Sequence, residues 1–305
     1  MTTGNELVIT RVFEAPIELV WDAWTKPEHI AKWWGPKHYS SPDPKIDLAV
    51  GGKLLLAMSG PDGKTHYTAG VFREIERPGK LVCDTHFADK TGKKIRPAEI
   101  GFPGDWHGET TIFVTLEDLG ERTRMTVRQT GVLPEFTDMS RAGWGTSLEK
   151  LAEVVTADRG IVVNRTFDAP RKLVWEVFTK PEHMDKWWGP DGFTNKTQEM
   201  DFREGGAWKY TMVAADGTVF PNYTEYTEIV EPELIAFKHG TGPEDIWFRG
   251  TITFTEFMGK TTVNLHNVFP DKPSRDVVVE QYGAVEGGKQ HLAKAAEYIA
   301  RLQAG

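Results

Sequence analysis

Two tryptophans followed by glycine and proline occur twice in this chain. Trp33-Trp34-Gly35-Pro36 returns as Trp187-Trp188-Gly189-Pro190, each time six residues after a proline, Pro27 or Pro181. A surface loop gains nothing from two large apolar rings, so the tetrapeptide either closes a core or walls a pocket. An indole pair walls a pocket by stacking on a flat apolar ligand, and closes a core by pinning a short helix to a sheet. Neighbouring residues on a helix point about 100° apart. One tryptophan of each pair is therefore expected to be structural, and the other is the pocket candidate.

Ionisable groups offer less. His29 and His183 sit beside Glu28 and Glu182 in what reads as a helix start, where a local structural role is expected. Asp47 and Asp201 precede a double glycine. A carboxylate there is expected to accept backbone N–H groups of a bulge, with a general base as the alternative. Cys83 stands three residues before His86 in an extended stretch, so the two point to opposite faces and form no nucleophile–base pair. His66, His86, His107, His239, His266 and His291 fall into no metal-binding spacing, and no phosphate-binding glycine loop occurs. No metal and no cofactor is expected.

The tetrapeptide belongs to a longer repeat. Arg11, Phe13, Ala15, Pro16, Leu19, Val20 and Trp21 meet Arg165, Phe167, Ala169, Pro170, Leu173, Val174 and Trp175 at one constant offset. Thr25 to His29 recurs as Thr179 to His183, Asp47 as Asp201, and Gly51-Gly52 as Gly205-Gly206. The chain thus reads as two copies of one domain, 1–156 and 160–305, joined by Thr156 to Gly160. Copy one carries a longer insert between Ala88 and Asp105, with Gly101-Phe102-Pro103-Gly104, that reads as a lid or a wide loop.

The copies differ in their extended regions. Copy two has Trp208, Tyr210, Tyr223 and Tyr226 where copy one has Leu54, Leu56, Ala69 and Phe72, and adds His239, Trp247 and His266. Tyr and Trp combine an apolar body with one hydrogen-bonding tip, which suits a pocket. The candidate cavity residues are Trp33, Trp34, Leu56, Met58, Phe72 and Trp144 in copy one. In copy two they are Trp187, Trp188, Trp208, Tyr210, Tyr223, Tyr226, His239, Trp247 and His266. The alternative is a filled core whose polar tips find backbone partners.

These residues must be positioned by a recurrent order of elements. Leu7 to Phe13 alternates as a strand. Pro16 opens a helix with the stripe Ile17, Val20, Trp21, Trp24. Thr25-x-x-Glu28 predicts a capping box for a second short helix that Gly35-Pro36 stops. About six strands follow, with Leu54, Leu56 and Met58 sharing a face and a hairpin at Gly120. A long helix closes each copy, with stripes Trp144, Leu148, Leu151, Ala152, Val155 and Leu292, Ala295, Ala296, Ile299, Leu302. The expected fold class is α+β: a curved antiparallel sheet covered by its terminal helix.

Phe13 to Pro16, Leu19 to Trp21, Thr25 to His29, Trp33 to Pro36, Asp47 and Gly51-Gly52, each repeated in copy two, resemble the Aha1-type branch of the START/Bet v 1-like superfamily. The resemblance spans nearly the whole chain, twice. It implies the helix-grip fold, with a cavity between sheet and helix that holds a hydrophobic small molecule in many relatives. It implies no reaction. The family's eukaryotic namesake activates the Hsp90 ATPase and pairs this domain with a different N-terminal domain; here a second copy stands instead.

Composition narrows the partners. Net charge is −8 without a basic block, which disfavours nucleic acid. No run of 18 apolar residues is present, so no membrane span is expected. One cysteine, and a start without a basic-then-apolar signal pattern, point to the cytoplasm. Three functions stay open: binding of a hydrophobic or aromatic small molecule, a chaperone-regulator interaction module, and a hydrolase or cyclase using Asp201 or His266. No protein partner is identifiable.

Overall fold

The computed structural model describes residues 5–102 and 106–304. The chain divides into two compact units, Met1–Thr156 and Ala157–Gly305. Pro103, Gly104 and Asp105 of the insert lie outside the described residues.

The first unit runs β1 (Asn5–Phe13), α1 (Ile17–Thr25), α2 (Pro27–Trp33), β2 (Lys45–Ile46), β3 (Lys53–Ser59), β4 (Thr65–Glu76), β5 (Lys80–Ala88), β6 (Glu109–Asp118), β7 (Thr123–Val132) and α3 (Thr137–Val155). Its strands form one antiparallel sheet in the order β1-β7-β6-β5-β4-β3-β2. Alternation decides the faces. Leu7, Ile9 and Phe13 are buried while Val8 and Thr10 are exposed. The buried face meets Leu148, Leu151 and Val155 of α3 and Val20, Trp21 and Trp24 of α1 in one core.

The second unit repeats this plan: β8 (Gly160–Phe167), α4 (Arg171–Thr179), α5 (Pro181–Trp187), β9 (Phe193–Met200), β10 (Ala207–Ala214), β11 (Val219–Val230), β12 (Leu234–Gly242), β13 (Asp245–Phe257), β14 (Lys260–Val268), α6 (Lys272–Tyr282) and α7 (Ala284–Ala304). Its seven-stranded antiparallel sheet has the order β8-β14-β13-β12-β11-β10-β9. Both units are α+β helix-grip domains: a curved antiparallel sheet around a long C-terminal helix, with two short helices after the first strand.

Several expectations need correction. No capping box forms at α2 or α5, whose N-caps, Lys26 and Lys180, make no side-chain bond to the helix start. Thr25 ends α1 instead, and its hydroxyl donates to the Trp21 carbonyl at 2.8 Å; Thr179 does the same to Trp175. The hydroxyl bonds back to a carbonyl one turn earlier in the helix it ends, in preference to an N–H at the next helix start. The double glycines are closed by backbone bonds, Gly52 N–H to Ala49 and Gly206 N–H to Arg203, while the Asp201 carboxylate pairs with Arg203 at 2.9 Å. A Cβ on Gly52 or Gly206 would lie 2.2 Å from the Asp47 or Asp201 carbonyl oxygen, so no larger residue fits either turn. Leu302 lies beyond the core and is 40% exposed. Helix α6, capped by the Asp271 carboxylate on the Ser274 N–H, has no helical counterpart before α3, where a short 3-10 turn stands. Beyond the short turn Pro97–Ile100 of the insert, Phe102 packs on Phe87 at 5.2 Å, and Trp106 and Phe136 join that aromatic cluster.

Candidate ligand site

Each Trp-Trp pair divides its labour at a helix end. Trp33 and Trp187 are the last helical residues of α2 and α5 and are fully buried. Their indole N–H groups donate to the Ala23 and Val177 carbonyls at 2.7 and 3.1 Å, which ties each second helix to the first. Trp34 and Trp188 are the C-caps, already in extended backbone, so their rings leave the helical spiral. Both are half-buried and pack on the edge of the core. The following glycines take φ of 93° and 117°, and at Gly35 a Cβ would press on Met58 and Tyr39 within 3.1 to 3.3 Å. From the terminal helix, Lys150 donates to the Gly35 and Tyr39 carbonyls at 3.0 and 2.9 Å, and Lys294 to Gly189 at 2.9 Å. The Trp-bearing turn is thereby held to the helix that covers the sheet.

In the first unit the interior beside Trp34 is mostly indole. Trp144 lies 5.7 Å from Trp34 and 6.0 Å from Trp24, ring to ring. Trp144 donates to Gln129 Oε1 at 2.8 Å, and Gln129 reaches Thr110. Trp24 donates to the Met125 sulfur. The Trp34 Nε1 is sealed from solvent and has no hydrogen-bond partner. Leu56 and Phe72 are buried core residues, and Met58 is half-buried under the Gly35 turn.

The second unit carries a longer aromatic run on its inner face. Trp188 is 5.4 Å from Trp208, and Trp208 stacks on Tyr210 at 3.7 Å. Tyr210 leads to His239, His239 to Phe248 and Phe248 to Phe269, at 6.4, 4.8 and 5.2 Å. Polar tips link along it. Trp188 Nε1 donates to the Tyr210 hydroxyl at 3.3 Å, Tyr210 also bonds Thr224, and Thr224 Oγ1 meets His239 Nδ1 at 3.1 Å. Trp208 donates to Thr197, which Asp185 holds. Burial raises the Tyr210 and Tyr226 hydroxyls above the usual phenol range and pushes His239 down to about 4. These three side chains are therefore neutral at pH 7.

Tyr223 and His266 lie apart from this run. Tyr223 pairs with exposed Lys209, on the face opposite Trp208 and Tyr210, because it is three residues from Tyr226 in an extended strand. His266 pairs with Thr251 and Val162, on the face opposite the core residues Ile252 and Val263. Trp247, near the start of β13, is 47% exposed, donates to Asp245 and joins the outer end of the run with its ring 6.0 Å from His239. Tyr226 is buried against Phe202 at 4.9 Å, in the core.

Sequence reasoning missed His291. It sits on α7 with its ring 5.0 Å from Trp188, its Nδ1 2.9 Å from the Gly287 carbonyl, and its Nε2 buried without a partner. Burial, with Lys294 nearby, pushes it down to about 4 despite the opposing Gly287 bond. Its position next to Leu292 of the apolar stripe was the available signal. The neighbouring Gly288 clears Val163, whose Cγ2 a Cβ would meet at 2.9 Å. In the first unit Cys83 is pushed up to about 12 by burial and by Asp84, and strand alternation turns His86 to the other face. Among the described residues no three His, Cys, Asp or Glu side chains converge as a metal site, and no helix is long and apolar enough to cross a membrane.

A curved sheet gripping a terminal helix, with an aromatic interior, defines a helix-grip domain, here in tandem. Residues 14–156 and 168–300 match the family described as Activator of Hsp90 ATPase homolog 1-like protein, and the chain belongs to that family. Solved structures similar to it include a protein from Nitrosomonas europaea at 25% identity, covering 52% of this chain and 99% of its own, TM-score 0.42. One from Arthrobacter aurescens is 31% identical over 50% of this chain and 86% of its own, TM-score 0.43. The AHSA1 protein from Silicibacter pomeroyi is 20% identical over 48% and 95%, TM-score 0.39. No curated protein matches the chain.

Proposed function

We propose that this protein binds a flat, neutral, largely apolar small molecule between sheet and terminal helix, with the second domain as the principal site. The observation that carries this reading is the aromatic run from Trp188 through Trp208 and Tyr210 to His239 and Phe248, lined with uncharged hydrogen-bonding tips. Aromatic walls with few polar groups bind by area and orient by those tips. Trp33 and Trp187 are scaffold in this reading, and Trp34 and Trp188 are the contact rings. Native mass spectrometry of the purified chain, with melting shifts across an aromatic and lipid library, tests it. Bound mass or stabilisation by aromatic compounds is expected; an empty, unshifted protein would argue against it.

The family description favours a second reading, an interaction module that stimulates the Hsp90 ATPase. It predicts a raised Hsp90 turnover rate on adding the chain, and an unchanged rate at saturating concentration removes it. A hydrolytic role for Asp201 or His266 has less support: Asp201 pairs with Arg203 at the surface, and His266 lies on the opposite sheet face from the aromatic run.

A further inference from the structure

The two domains leave opposite hydrogen-bonding groups unpaired at the same place. Equivalent positions on the terminal helices are set by Lys150 and Lys294, which both reach the glycine carbonyl of the Trp-Trp-Gly-Pro turn. Three positions earlier stand Ser147 and His291, and each bonds the carbonyl of a glycine one helical turn back, Gly143 or Gly287. On the sheet, Leu56 occupies the place of Tyr210, Gly70 that of Thr224 and Thr85 that of His239.

These exchanges redirect the indole. In the second domain the Trp188 N–H is used by the Tyr210 hydroxyl at 3.3 Å. In the first domain Leu56 has no acceptor, and the Trp34 N–H is buried and unpaired. An indole nitrogen can only donate. A buried donor without a partner loses the free energy of a hydrogen bond, and a ligand that supplies an acceptor regains it.

His291 inverts this polarity. A carbonyl can only accept, so the bond to Gly287 places the ring proton on Nδ1. The ring is neutral at pH 7, since burial holds it down to about 4. Nε2 therefore presents a lone pair, buried and unpaired, beside the Trp188 ring.

Resting on the ligand-binding reading above, we infer that the domains select ligands of opposite polarity: the first takes an aromatic molecule bearing an acceptor, through Trp34 Nε1, and the second one bearing a donor, through His291 Nε2. A phenol-type hydroxyl suits the second domain, and an ether or ketone oxygen suits the first.

Three matched probes test this on the full chain: naphthalene, 2-methoxynaphthalene and 2-naphthol. Indole N–H cross-peaks of the nitrogen-15-labelled protein report each domain separately, Trp144 for the first and Trp188 for the second. In the first domain 2-methoxynaphthalene should bind about tenfold tighter than naphthalene, and Trp34→Phe should erase that preference. In the second domain 2-naphthol should bind about tenfold tighter than 2-methoxynaphthalene, and His291→Phe should erase that preference. The wild-type probe order is itself decisive if either variant fails to fold. Binding of all three with the same preference in both domains overturns the polarity assignment and leaves the ligand-binding reading standing. No response of any cross-peak to any probe overturns both.

Discussion

The Trp188 indole donates to the Tyr210 hydroxyl at 3.3 Å, whereas Leu56 stands at the matching position of the first domain and the Trp34 N–H goes unpaired. One substitution between two copies of a domain thus changes what the interior offers. Tyr210→Phe should recreate the first domain's condition in the second. It leaves the ring stack on Trp208 intact but strands the Trp188 donor, at a cost of roughly 1–3 kcal/mol. Urea unfolding followed by tryptophan fluorescence should show a lower midpoint for the second domain's transition. An unchanged midpoint would mean that the bond contributes nothing.

The two rings of each pair should differ sharply in their effect on stability. Trp33 is fully buried and hydrogen-bonded to Ala23, so Trp33→Ala should cost about 3–5 kcal/mol. Trp34 is half-buried at the core edge, and Trp34→Ala should cost clearly less. Equal losses in chemical denaturation would contradict the division into scaffold and contact ring.

Burial of neutral histidines makes stability depend on pH. His239, His266 and His291 are each held down to about 4 from an unfolded value of 6.5. As pH falls below 6.5 the unfolded chain takes up protons that the folded chain refuses. The stability contribution is therefore complete above 6.5, falls progressively towards 4 and is lost below it. By pH 5 each histidine should cost up to about 2 kcal/mol, before most carboxylates protonate. Denaturation at pH 7 and pH 5 measures this, and His291→Leu should make the loss smaller. A flat profile over that interval would refute it.

Lys150 and Lys294 should act as clamps on the tetrapeptide turn. Each ammonium donates to carbonyls of that turn, and burial lowers both groups below the ordinary lysine range. Lys294→Met keeps the stem and removes the donor, leaving the Gly189 carbonyl short of a partner at about 1–3 kcal/mol. Hydrogen exchange should speed up at residues 188–193 more than in β14 or α7. Uniform acceleration across the domain would instead indicate a general loss of stability.

Much of the architecture was legible because repetition and alternation are properties of the chain itself. The constant offset from Arg11/Arg165 to Gly52/Gly206 announced two domains, and the face of Leu54, Leu56 and Met58 followed from a period of two. The same period, applied to Tyr223 and Tyr226, separates them onto opposite faces. Thr25 was misread because one hydroxyl can serve either the helix it ends or the helix it precedes. Its side chain bonds back to the carbonyl of Trp21, one turn earlier in the same helix.

By itself the sequence determined the family, the tandem arrangement and which ring types fill each interior. Those depend on local pattern and composition. Only the tertiary structure decided which polar tips are satisfied. That choice depends on groups far apart in the chain: Trp188 on Tyr210, Trp34 left without an acceptor, and His291 arriving from the terminal helix beside Trp188. A hydrogen bond needs its partner within about 3.5 Å, and no periodicity in a strand or helix encodes that distance across the fold.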